Sequence, residues 1–145
     1  MHDVPRQLSL AELVELFEGD TTLVRVLAER DDPLGEAREV ARTLTDEEKI
    51  EALAAHPAIG AKKLSPRSAR EQGTDDEPAV LTELAYLNQV YEEKFGFRFV
   101  VFVNRRPKSA ILEVLRERLQ HTVEEELETA IDELISIAED RSRTA

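Results

Sequence analysis

Apolar residues recur three and four positions apart through most of this chain, and capping residues mark where each run begins. Ser9-Leu10-Ala11-Glu12 has the form of a capping box. It opens a short helix to about Glu18, with Leu10, Leu13, Val14 and Phe17 as its buried stripe. Gly19-Asp20 ends that run. The pattern predicts a second short helix from Thr21 to about Arg30, a break at Asp31-Asp32-Pro33, and a third helix from Leu34 to Leu44. Thr45-Asp46-Glu47-Glu48 is a second capping box, and the helix behind it carries Ile50, Leu53 and Ala54 on one face. That helix should stop at His56, because the residue before a proline, here Pro57, is pushed out of the helical region.

From Pro57 to Pro78 the periodicity fails, apart from room for one helical turn at Ser68–Gln72. Pro78 suits the first turn of a long helix whose core face is Val80, Leu81, Leu84, Leu87, Val90 and Tyr91, closed by Gly96. Phe97-Arg98-Phe99-Val100-Val101-Phe102-Val103 is the one strongly strand-like run. A lone strand leaves peptide groups that must find partners when buried, and the sequence offers another chain, loops or a ligand. A helix near Lys108–Leu119 follows. Thr122-Val123-Glu124-Glu125 then caps a last helix to about Arg141. The expected architecture is an all-α, single-domain helical bundle over 1–145, with one extended segment near 97–103.

Composition narrows the classes. A chain of 145 residues is long enough to bury roughly 70% of its unfolded surface. It has no cysteine, which removes disulfides, thiolate metal sites and cysteine nucleophiles. No apolar run approaches the roughly 18 residues that span a bilayer, and the N-terminus lacks a signal pattern, so a cytoplasmic location without membrane association is expected. A net charge of -12 argues against nucleic-acid binding and is compatible with salt adaptation. An anionic ligand would have to be drawn by a local group of arginines, and Arg70, Arg105, Arg106 and Arg141 are the candidates.

Histidine is the side chain that titrates near neutrality, and there are three. His2 lies at the terminus, and His121 lies in a polar turn that suggests a solvated role. His56 stands at a helix end in His-Pro-Ala-Ile-Gly, either as a dipole-stabilised cap or as a reactive group. Ser68, Glu71 and Gln72 read either as a helix start or as a hydroxyl, a carboxylate and an amide presented to one small polar ligand. No metal site is expected, since no histidine pair or acidic loop has ligand spacing.

Taken in order, several segments resemble one known family. They are Thr45–Ala55, His56-Pro57-Ala58-Ile59-Gly60, Ser68-Ala69-Arg70-Glu71-Gln72, Leu87-Asn88-Gln89-Val90-Tyr91 through Phe99-Val100, Glu124-Glu125-Glu126-Leu127, and Ile137-Ala138-Glu139-Asp140-Arg141. The family is the 2-oxo-4-hydroxy-4-carboxy-5-ureidoimidazoline (OHCU) decarboxylases. The resemblance is good from Leu44 to Arg141 and looser before that. It implies an all-helical, cofactor-free, commonly dimeric enzyme that converts OHCU to (S)-allantoin in urate breakdown. By the same resemblance, His56 and Glu71 are catalytic. Pro57, Ser68, Gln72 and Arg141 bind substrate, together with the backbone of Phe99, Val100, Val101, Phe102 and Val103, which would give the lone strand a ligand to bond. Where the family often has leucine on both sides of the last arginine, this chain has Asp140 and Ser142. The alternatives are a different ureido or oxo acid in the same pocket, or a non-catalytic helical interaction module.

Overall fold

The computed structural model describes residues 7–57 and 78–144. The expected Ser68–Gln72 turn, and with it Ser68, Arg70, Glu71 and Gln72, lies outside them. Seven helices are described: α1 (Leu10–Phe17), α2 (Thr22–Leu27), α3 (Pro33–Thr43), α4 (Asp46–Ala55), α5 (Pro78–Phe95), α6 (Lys108–Arg118) and α7 (Val123–Thr144). Among the described residues there is no strand.

The capping residues act as the sequence indicates. At α1 the Ser9 hydroxyl accepts from the Glu12 amide at 3.1 Å, and the Glu12 carboxylate accepts from the Ser9 amide at 3.0 Å. Thr45 with Glu48 and Thr122 with Glu125 repeat this exchange. Each pair satisfies two amides that a helix start leaves without an internal partner. Helix α2 is shorter than expected, and α7 runs past Arg141 to Thr144.

The stripes are mostly those expected, with three differences, the first in α4, where Ala52 and Leu53 are buried and Ala54 is exposed. In α1, Leu16 is buried while Leu10 is exposed, because the helix presents Leu13, Leu16 and Phe17 to the core. In α5 only Leu84, Tyr91 and Phe95 are buried, and Leu81 and Tyr86 are exposed. Helix α7 is the central element, packing against α1, α3 and α4. It buries Leu127, Ala130, Ile131, Leu134, Ile135 and Ala138, a stripe wide enough to serve several neighbours. Each large aliphatic so placed contributes about 1.5–3 kcal/mol. Helix α6 lies against α5.

Segment 97–103 passes through the core between α5 and α6. Helix side chains bond several of its peptide groups. Glu133 of α7 accepts from the Phe102 amide at 3.1 Å, and Arg118 of α6 donates to the Val100 carbonyl at 2.7 Å. Arg106 donates to the carbonyls of Phe102 and Val103 at 2.6 and 3.0 Å. The partners expected from the sequence were another chain, loops or a ligand. Two of these three residues instead stand on neighbouring helices.

A buried polar cluster holds this segment to the helices. Glu126, fully buried on α7, accepts from the Tyr91 hydroxyl at 2.5 Å and from Arg118 Nε at 2.8 Å. His121 Nδ1 lies 2.8 Å from its second oxygen, so His121 is a member of this cluster and not the freely solvated group expected. The Arg118 guanidinium also stacks 4.7 Å from the Phe99 ring centre. Burial and the hydrogen bond to Glu126 push the Tyr91 phenol well above its usual range.

Candidate active site

Helix α4 ends where Pro57 forces it to end. His56 is its C-cap, in extended conformation at φ -80° and ψ 138°, with its amide donating to the Leu53 carbonyl. The last carbonyls of a helix lack internal partners. Here Arg98 supplies one: its Nη1 donates to Ala54 O at 3.1 Å and also to His56 O. The only charged residue in the apolar run 97–103 is therefore tied to the end of α4.

The turn after α1 closes on the same place. A Cβ at Gly19 would lie 2.4 Å from the Cβ of Ala55, so glycine is what lets this turn rest on the last residue of α4. The preceding Glu18 caps α1 in the left-handed region at φ 59° and ψ 31°. Arg141, near the end of α7, is completely buried. It donates from Nη1 to Leu16 O at 2.9 Å, and its Nη2 lies 3.8 Å from Glu18 Oε1.

His56 is 8% exposed, and its Nδ1 has no hydrogen-bond partner among the described residues. Burial pushes its pKa from 6.5 down to about 4; Arg141 and Arg98 add to the depression, while Glu18 opposes it. At neutral pH this is a neutral imidazole beside two guanidinium groups. It can accept a hydrogen bond or a proton, and the cations beside it suit an anionic ligand. The Nε of Arg98 is also buried without a partner among the described residues.

Of the arginines weighed from sequence, Arg70 lies outside the described residues, and among the other three only Arg141 is shown acting on His56. Arg106 is engaged with the carbonyls of Phe102 and Val103, and Arg105 is exposed in a left-handed turn at φ 61°. Asp140 is Arg141's sequence neighbour, but the acid found beside the guanidinium is Glu18 of α1. Pro57 follows His56 directly and is partly buried. Phe99, Val100, Val101 and Val103 are buried, and Phe102 is partly so; Phe99 packs on Tyr91. Sequence reasoning passed over Glu18 and Arg98. The signals were a lone arginine inside an apolar run and a glutamate directly before a glycine.

The family model for OHCU decarboxylase matches residues 3–143. The chain belongs to the OHCU decarboxylase family. Among relatives, it is 30% identical over 150 residues to a uric acid degradation bifunctional protein of Bacillus sp. strain TB-90, covering 91% of this chain and 29% of that protein. It is 32% identical over 98 residues to a 2-oxo-4-hydroxy-4-carboxy-5-ureidoimidazoline decarboxylase of Haloferax volcanii, covering 64% of this chain and 58% of that one. The chain thus spans less than two thirds of the length of these relatives. Among solved structures, it superposes on an OHCU decarboxylase crystallised in the presence of (S)-allantoin with a TM-score of 0.75 and 27% identity. That match covers 90% of this chain and 94% of that one. A crystal structure of (S)-allantoin synthase, at TM-score 0.68 and 23% identity, shares the fold over 91% of this chain and 47% of its own. Like the family member solved with (S)-allantoin, this OHCU decarboxylase family chain is all-helical. Among the described residues, no helix is long and apolar enough to cross a membrane, and no three metal-ligating side chains cluster.

Proposed function

We propose that the chain decarboxylates OHCU to (S)-allantoin without a cofactor, as a step of urate degradation in the cytoplasm. The observation that carries this reading is His56, buried and neutral at the end of α4, flanked by the guanidinium groups of Arg141 and Arg98. Membership of the family adds the substrate class.

The substrate carries a carboxylate on a ring carbon next to a C=N bond. When the bond to the carboxylate breaks, carbon dioxide leaves and the electron pair moves into that C=N group. A proton then adds to one face of the ring. The protein's part is to orient the carboxylate, stabilise developing charge and control the proton. Arg141 is the group proposed to orient the carboxylate. Neutral His56 accepts from the substrate hydroxyl, with Glu71 as its catalytic partner. Pro57, Ser68, Gln72 and the backbone of 99–103 complete substrate binding. The resemblance to this commonly dimeric family also makes a homodimer part of the proposal.

The test is to generate OHCU fresh from urate with urate oxidase and hydroxyisourate hydrolase, and to follow product chirality by circular dichroism. Rapid growth of an (S)-allantoin signal beyond the protein-free control is expected, and a folded His56→Ala variant should lose it. A racemic background identical with and without protein would direct attention to another ureido or oxo acid.

A further inference from the structure

Glu18 holds a conformation that its side chain does not favour. At φ 59° it is one of three non-glycine residues with positive φ among those described, and such a cap is usually glycine or asparagine. Glycine does stand next door, at Gly19, where the contact with Ala55 demands it. The α1–α2 turn is thus fixed against α4 at Gly19, and the left-handed position falls on a long acidic side chain. Outliers of this kind persist where surrounding structure over-determines them, and they collect at functional sites.

The consequence is visible in where the carboxylate goes. It reaches the guanidinium of Arg141, whose other arm is held by Leu16 O two residues earlier, in the last turn of α1. The end of α1 therefore grips Arg141 from two sides. The same carboxylate acts through space on His56, against Arg141 and Arg98.

We infer that Glu18 is a positioning residue of the candidate active site, orienting Arg141 for an anionic substrate and balancing the charge around His56. The inference rests on the decarboxylase reading for its kinetic consequence but not for its structural one. Among the described residues, the charged groups acting on the imidazole come from three elements: Glu18 at the end of α1, Arg98 in segment 97–103 and Arg141 on α7. Removing Glu18, the one acid among these described groups, leaves the two guanidinium groups unopposed by it.

The experiment compares wild type with Glu18→Gln, which keeps an acceptor but loses the charge, and Glu18→Asn, which relieves the left-handed backbone. KM and kcat for freshly made OHCU are read beside the His56 imidazole titration followed by proton NMR, with the signal assigned by its loss in His56→Gln. Both variants should raise KM roughly 10- to 100-fold, more than they lower kcat, and should move the His56 midpoint further down. The titration needs no substrate, so it tests Glu18 even where wild type fails to turn over OHCU. A folded Glu18→Gln protein with an unmoved His56 midpoint would overturn the inference, as would wild-type KM in both variants. A residue that merely caps α1 would change stability and leave both readouts alone.

Discussion

The Arg98 guanidinium donates through one nitrogen to the main-chain carbonyls of both Ala54 and His56. It therefore satisfies carbonyls at the C-terminal end of α4 while placing a positive charge beside His56, the residue that caps the helix. One variant removes both roles, and each has its own readout. Arg98→Met keeps much of the side-chain volume but removes the donors and the charge. Without the charge, His56 should titrate higher than about 4, moving back toward 6.5, because Arg98 is one of the groups that depress it. Without the donors the His56 backbone loses its anchor, and kcat/KM should fall on the order of tenfold or more. Kinetics on fresh substrate and an imidazole titration check the two halves independently. The titration shift is opposite in sign to that expected of Glu18→Gln.

His56 also links stability to pH. Its folded pKa lies below its unfolded value, so between about 6.5 and about 4 the unfolded chain binds a proton that the folded one refuses. Stability is intact above 6.5 and is lost as pH falls toward 4. At about 1.36 kcal/mol per pH unit, the full loss is roughly 3 kcal/mol. Carboxylate protonation adds its own acid destabilisation, so the informative quantity is a difference. Urea unfolding of wild type and His56→Gln across this range should show a steeper fall in wild type. Parallel profiles would mean that His56 charges as readily in the folded state as in the unfolded one.

Much of this fold was legible in the sequence because its helices are bounded by local chemistry. Ser9, Thr45 and Thr122 each announce a helix with a glutamate three residues on, and Pro57 and Pro78 bracket the aperiodic stretch. What was not legible depends on contacts between distant elements. Nothing near Phe102 in sequence says that Glu133 will accept from its amide, and nothing near Arg141 says that Glu18, over a hundred positions earlier, will lie beside it. His121 looked solvated because its neighbours are polar, yet its partner is a glutamate buried by the turn of α7. His56 was legible through Pro57. Arg98, whose target is a carbonyl on another helix, was not.

Arg38 and Arg118, each making several hydrogen bonds, should differ sharply in energetic weight. Arg38 on α3 reaches Asp132, Ser136 and Glu139 of α7, but its side chain is 39% exposed. Such a pair carries little in water, and Arg38→Ala should cost at most about 1 kcal/mol. Arg118 and Glu126 are buried, and Glu126→Ala strands a buried guanidinium and a buried phenol together. A loss of roughly 3–5 kcal/mol is expected. Denaturant midpoints for the two variants give the comparison. Because Arg118 also holds the Val100 carbonyl, Glu126→Ala should additionally loosen segment 97–103, seen as faster amide exchange there.

Gly19 and Gly96 distinguish a close contact from a backbone requirement. Gly96 has φ +79° with open space where a Cβ would go, so Gly96→Ala should cost only the left-handed strain, about 1–2 kcal/mol, with turnover near wild type. At Gly19 a new methyl would meet the Ala55 methyl at 2.4 Å, and neither atom belongs to a flexible side chain that could swing aside. The turn and the end of α4 must move apart. The cost in stability is similar, roughly 1–3 kcal/mol. The displaced parts, however, are Glu18 on one side and His56 on the other. Gly19→Ala should therefore lose kcat/KM well beyond Gly96→Ala at matched stability. Pairing it with Ala55→Gly, which removes the opposing methyl, should restore activity. Failure of that rescue would mean the contact does not set the distance between α1 and the catalytic end of α4.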